Sequence, residues 1–236
     1  MSAPVDLLLI PGLLCTDALY APLVPALGRH ARLVVANHRR QSTMGEIAAQ
    51  ILSEAPAKFA LCGLSMGGYI AFEIMRQAPE RVSRLALLDT MARADTPERM
   101  AGRKTAVAKA RAEGMGPVSK MLLPQWVHPS RLSDKDLCAT VAKMAADTGV
   151  DAFERQQAAI AMRIDSRPTL STINCPTLVL VGRQDAATPV AEAEEIAAGI
   201  KGSTLVVIED CGHLTTMERP AETGHAVLNW LVGRAV

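Results

Sequence analysis

Short runs in which nearly every position is apolar alternate along this chain with longer stretches whose apolar positions recur every three or four residues. The runs fall at residues 6–10, 32–36, 59–63, 85–88, 177–181 and 204–208. They are too short for helices, are rich in Leu, Val and Ile, and lack the polar alternation of a half-exposed strand, so they predict strands buried on both faces. The stretches at 18–28, 43–54, 66–78, 189–199 and 220–232 predict the covering helices, with Pro189 and Pro220 at or near first turns. The expected fold is α/β: a doubly wound, mostly parallel six-stranded sheet with helices on both faces.

Between residues 88 and 177 the alternation stops. Helical periodicity there predicts helices at 97–113, 117–124, 133–147 and 150–163, the third capped by Ser133 with Asp134 and Asp136 in its first turn. The insert, residues 91–165, is expected to form a lid over the C-terminal ends of the strands, where open α/β sheets bind ligands. No repeat, low-complexity tract or linker divides the chain, so residues 1–236 are expected to be one domain carrying that lid.

Composition narrows the classes. Apolar residues make up 49% of the chain and aromatic ones only 3%, which excludes disorder and predicts a core of aliphatic side chains and Met. With 25 basic and 24 acidic residues the formal charge is +1, which argues against nucleic acid or a membrane surface as partner. The apolar run near the N-terminus is stopped by Pro11-Gly12 and has no basic lead, so neither a signal peptide nor a transmembrane helix is expected. Cys15, Cys62, Cys138, Cys175 and Cys211 form no CxxC pair and are odd in number, as suits a reduced, cytoplasmic protein without a zinc site. No P-loop, GxGxxG or HExxH pattern occurs, and no cofactor is expected. The sequence carries no signature of a particular oligomeric state.

The chemistry concentrates where a strand runs into Gly63-Leu64-Ser65-Met66-Gly67-Gly68 and then a helix. Small residues around a serine on a tight strand-to-helix turn leave its hydroxyl exposed at the sheet edge and at a helix N-terminus, which suits a nucleophile. A serine needs a base. Of five histidines, His213 lies in the loop after the last strand, at the same edge; His30 and His225 fall on helices, and His38 and His128 remain alternatives as base or substrate ligand. The acid that orients His213 is Asp185, just after the strand at 177–181, with Asp89 as competitor. Met121, Trp126 and Met162 of the insert, with Leu14, are candidate pocket residues. Arg99 to Arg111 holds five basic residues, either a solvated face or an anion-binding one.

With Ile10-Pro11-Gly12-Leu13, the GLSMGG segment, Cys175-Pro176 through Asp185, and Gly212-His213-Leu214, the chain resembles small α/β-hydrolase-fold proteins of the carboxylesterase and enol-lactonase type. The resemblance covers nearly the whole chain. It implies a catalytic triad of Ser65, Asp185 and His213, in that chain order, and an oxyanion hole from the backbone N–H groups of Met66 and Leu13, with Leu14 as alternative to Leu13. Two departures stand out: Pro11-Gly12 replaces the usual His-Gly, and the usual N-terminal strand pair is missing. The implied activity is hydrolysis of a small-molecule ester or lactone through an acyl-enzyme. A ligand-binding or signalling protein that turns over slowly or not at all, and a carbon–carbon bond hydrolase, are the alternatives on the same scaffold.

Overall fold

The structure is a computed structural model that describes residues 5–235. Six strands, β1 (Val5–Ile10), β2 (Ala31–Val35), β3 (Phe59–Leu64), β4 (Val82–Leu88), β5 (Thr177–Gly182) and β6 (Thr204–Ile208), pair in the order β2-β1-β3-β4-β5-β6. Every pairing is parallel. The register sets Ile10 beside Gly63, Leu64 beside Leu88, and Gly182 beside Ile208, which aligns the C-terminal ends of these strands along one edge. Strand order reverses between β1 and β3, and such a switch point opens a crevice at that edge.

Burial on both faces explains the unbroken apolar runs. Leu7 and Leu9 of β1 join Ala60, Cys62 and Leu64 of β3 in one core, whereas Leu8 and Ile10 join Phe59 and Leu61 in the other. The second core is closed by α2 (Met44–Glu54), α3 (Met66–Gln77) and α8 (Val190–Gly199), the first by α10 (Pro220–Val232) and by the helices between β4 and β5. Those helices are α4 (Pro97–Glu113), α5 (Met115–Trp126) and α6 (Lys135–Ala161).

Several local expectations change. The helix expected at 18–28 is two 3₁₀ turns, Asp17–Leu19 and Ala21–Leu23, followed by one turn of α1 (Val24–Leu27). Pro22 and Pro25 have no N–H to donate, so a continuous ladder cannot form there. Asp134, not Ser133, caps α6, its carboxylate accepting the Leu137 N–H at 3.0 Å. The helices expected at 133–147 and 150–163 run on as one, but with a break at Gly149, whose φ of +75° only glycine adopts without strain. Two one-turn helices, α7 (Arg167–Leu170) and α9 (Thr215–Glu218), are too short to leave a periodic signal. Among the described residues no helix is long and apolar enough to cross a membrane.

Candidate active site

Ser65 stands between β3 and α3 with φ +56° and ψ −116°, a backbone conformation costly for any residue with a side chain. The surroundings impose it. Its N–H donates to Leu88 O (2.9 Å), and its carbonyl accepts from Thr90 Oγ1 (2.8 Å) and Gly68 N–H (2.8 Å). The flanking glycines are steric necessities: a Cβ would lie 2.3 Å from Gly67 O at Gly63, 2.0 Å from Ile10 O at Gly67, and 2.4 Å from Thr90 Oγ1 at Gly68. The turn is therefore so tight that β1, α3 and the segment after β4 meet without side chains between them.

His213 reaches Ser65 from the loop after β6. Its Nε2 lies 2.8 Å from Ser65 Oγ and its Nδ1 2.8 Å from Asp185 Oδ2. The loop is pinned by His213 N–H to Trp126 O (3.0 Å) and by the buried Glu218, which accepts from Leu214 N–H (3.3 Å) and His128 N–H (2.7 Å). Asp185 accepts the N–H groups of Ala187 and Thr188 on Oδ1, both at 2.8 Å, and the Thr188 hydroxyl on Oδ2 at 2.6 Å. Every neighbour of that carboxylate is a donor, so the His213 proton sits on Nδ1 and the Nε2 lone pair faces the serine. Burial by itself would lower the pKa of His213, but the adjacent Asp185 charge and hydrogen bond outweigh it, and the net shift is upward from 6.5.

The competing acid, Asp89, turns elsewhere. At φ +46° its Oδ1 accepts Gly182 N–H (3.0 Å) and its Oδ2 the Thr215 hydroxyl (2.5 Å), which ties the ends of β4 and β5 to α9. Complete burial and then the nearby Asp185 push its pKa well above the ordinary carboxylate value. The other histidines are also apart from the serine. His38 is buried against Gly12 O, the His128 ring bonds Ser130 Oγ (2.7 Å), His225 bonds Asn229, and His30 is exposed.

The Met66 and Leu13 N–H groups make no hydrogen bond among the described residues, whereas Leu14 N–H donates to Gln156 Oε1 at 3.1 Å. That bond removes Leu14 as an anion donor. Leu14 is also buried and outside the cavity, so its place among the pocket residues is corrected as well. Met162 is corrected for the opposite reason: it sits past the last turn of α6, 71% exposed. Met121 and Trp126 do line the cavity, about 500 Å³ in volume, onto which Ser65 and His213 open. Its roof comes from α4, α5 and α6, and its lining holds Arg99 and Arg103 but no carboxylate.

The basic stretch thus divides. Arg111 pairs with Asp151 (2.7 Å) and Lys109 with Glu113 (2.9 Å), as a solvated face would. Arg103 instead bonds Asp95 (2.5 Å) and Gln157 (2.7 Å) beside the cavity, and Arg163 bonds the same Asp95 (2.6 Å) while stacking on Tyr69. Arg99 has no carboxylate partner among the described residues and touches the Met91 sulfur. Asp165 and Arg167 pair with each other (2.9 Å) away from the cavity. Sequence reasoning named His38 only as an alternative base or substrate ligand and missed Thr188 and Gln156; of these two, Thr188, three residues after an acid in a loop, left a local trace.

A family model described as the alpha/beta hydrolase family matches residues 7–226. The chain is 29% identical over 167 residues to 3-oxoadipate enol-lactonase 2 of Acinetobacter baylyi, a match spanning 70% of this chain and 61% of that protein. A malate-bound thermophilic esterase from Thermogutta terrifontis superposes with a TM-score of 0.89 at 30% identity, over 99% of this chain and 91% of that one. The enol-lactonase from Burkholderia xenovorans LB400 follows at 0.88 and 26% identity, over 98% and 92%. On its sheet order, its strained serine turn and this match along nearly its whole length, the chain belongs to the alpha/beta hydrolase family.

Proposed function

We propose that the protein hydrolyses a small carboxylic ester or lactone through an acyl-enzyme on Ser65. The observation that carries this reading is one continuous hydrogen-bonded line, Asp185 Oδ2 to His213 Nδ1 and His213 Nε2 to Ser65 Oγ, both at 2.8 Å, opening on a cavity of about 500 Å³. That volume suits a small organic molecule.

In the first step His213 Nε2 takes the Ser65 proton as Oγ attacks the carbonyl carbon, and Asp185 steadies the imidazolium. The tetrahedral oxyanion is received by Met66 and Leu13 N–H, donors with no competing partner. His213 then returns the proton to the departing oxygen, leaving an acyl group on Ser65. Water, deprotonated by the same nitrogen, attacks the acyl carbon, and His213 passes that proton to Ser65 Oγ as the acid is released. Helices α4 to α6 act as the lid that keeps bulk water from the cavity during these steps. Arg99 and Arg103 in a wall without carboxylates favour an ester or lactone whose far end is negatively charged, as a dicarboxylic acid derivative would be. The enol-lactonase relatives support the ester or lactone class.

The test is hydrolysis of 4-nitrophenyl acetate and butyrate by wild type and Ser65→Ala, with a fluorophosphonate probe on both. Turnover and labelling confined to the wild type are expected. A wild type that does neither refutes the proposal, and labelling without turnover of any ester or lactone points instead to a ligand-binding protein. Comparing kcat/KM for monomethyl glutarate and methyl butyrate, with Arg99→Met as control, tests the charge preference.

A further inference from the structure

The loop that follows β1 holds a strained turn. Cys15 N–H closes it on Gly12 O at 3.1 Å, and Leu14, its third residue, has φ +59°, where turns of type II place Gly or Asn. Leucine gains nothing from that conformation by itself, so outside groups must hold it. Two do, and both are buried. Gln156 of α6 accepts Leu14 N–H on Oε1 at 3.1 Å, and His38, from the segment after β2, places Nε2 3.0 Å from Gly12 O.

The amide orientation follows from chemistry. Leu14 N–H can only donate, so the oxygen of Gln156 must face it, and its amide nitrogen then stands 3.2 Å from His38 Nε2. One ring nitrogen cannot both donate to Gly12 and accept from Gln156. With its proton on Nε2, His38 serves the nearer carbonyl.

The consequence lies at the other end of the same peptide. Gly12 C=O and Leu13 N–H belong to one planar trans unit and point in opposite directions. Fixing the oxygen on one side fixes the direction of the hydrogen on the other, and that hydrogen is without a partner among the described residues, on a residue that lines the same cavity as Ser65, next to a Gly12 whose Cβ would lie 3.3 Å from Ser65 Cβ. We infer that His38, with Gln156 holding the turn behind it, is a positioning residue that aims the Leu13 N–H at the oxyanion of the ester reaction. It takes up the bracing that a histidine at the position of Pro11 would give from within the loop. This inference rests on the acyl-enzyme reading above. Burial lowers the His38 pKa to about 4, so the ring stays neutral across the working range of His213.

The test compares His38→Leu, His38→Gln and Gln156→Met with wild type, using kcat and KM for 4-nitrophenyl acetate and the Ki of phenylboronic acid, which forms a tetrahedral adduct on an active serine. A misaimed donor lowers kcat and weakens the boronate by a similar factor, about 10- to 100-fold, somewhat less than the loss of a whole oxyanion donor, with KM within about threefold. Glutamine can present an N–H near the place of Nε2, so His38→Gln should recover both readouts to within about threefold. If His38→Leu fails to fold, the same paired loss in Gln156→Met against recovery in His38→Gln decides. A folded His38→Leu with unchanged kcat and Ki, or a His38→Gln as impaired as His38→Leu, overturns the inference. A wild type that neither hydrolyses esters nor binds the boronate removes the acyl-enzyme reading itself, and this inference with it.

Discussion

Replacing Asp185 by Asn exchanges one carboxylate oxygen for an NH₂ group, and the structure dictates where that group must go. Two backbone N–H groups, of Ala187 and Thr188, point at Oδ1 from 2.8 Å, so an amide nitrogen placed there would leave two buried donors unpaired. Each would cost about 1–3 kcal/mol. At Oδ2 the neighbours are the Thr188 hydroxyl, which can rotate to accept, and His213 Nδ1, which can accept if its proton moves. The oxygen of the introduced amide therefore occupies the Oδ1 site and its NH₂ faces His213. The imidazole is driven to the tautomer protonated on Nε2, whose hydrogen points at Ser65 Oγ, and it cannot take the serine proton. The wrong tautomer and the lost countercharge together should lower kcat about 10⁴-fold, roughly 5.5 kcal/mol in the barrier, by analogy with the same exchange in serine proteases. Steady-state hydrolysis of 4-nitrophenyl acetate and the rate of fluorophosphonate labelling measure it, with the thermal midpoint as a check on folding. Asp89→Asn is the control: its near-isosteric amide keeps an acceptor for Gly182, and kcat should stay within about tenfold. An Asp185→Asn protein close to wild type beside an inactive Asp89→Asn would refute the assignment of the acid.

Further outcomes follow from the same contacts. Because His213 must be neutral to act as base and its pKa is raised above 6.5, kcat/KM should fall as pH drops through an apparent pKa somewhat above that value; a profile flat from about pH 5 to 9 would exclude His213 as base. Gly67→Ala places a Cβ 2.0 Å from the Ile10 carbonyl oxygen, a backbone atom that cannot swing aside, so urea denaturation should show a loss of more than about 3 kcal/mol or no folded protein. Met121→Gln, in the cavity wall, should raise KM for 4-nitrophenyl butyrate several-fold while Met162→Gln, exposed outside it, leaves KM unchanged; equal effects would place the cavity wrongly.

The strands, their parallel pairing and the serine turn could be read from the chain because each rests on a local rule. A doubly buried strand such as 59–64 must be apolar at every position, and a turn as tight as that around Ser65 admits no Cβ at Gly63, Gly67 or Gly68. His213 and Asp185 could be placed at the sheet's C-terminal edge for a related reason: each follows a strand, and in a parallel sheet all such loops emerge together. The spacing could not choose between Asp185 and Asp89, since both follow strands. The choice lies in side-chain direction, set by a backbone at φ +46° that turns Asp89 toward Gly182 and Thr215.

What the sequence alone determined, then, is whatever depends on neighbours along the chain: apolar runs, glycine at steric contacts, the loop that carries each reactive group. Tertiary structure decided the rest. Gln156 meets Leu14 across 142 residues and His38 meets Gly12 across 26, and no periodicity records such meetings, because the first depends on how the insert packs over the sheet and the second on the pairing of β1 with β2. The packing of the insert sets Met121, itself 41% exposed, at the cavity wall and leaves Met162, 71% exposed at the end of a neighbouring helix of the same insert, outside the cavity. It also turns part of a basic helix, at Arg99 and Arg103, toward the cavity onto which Ser65 opens.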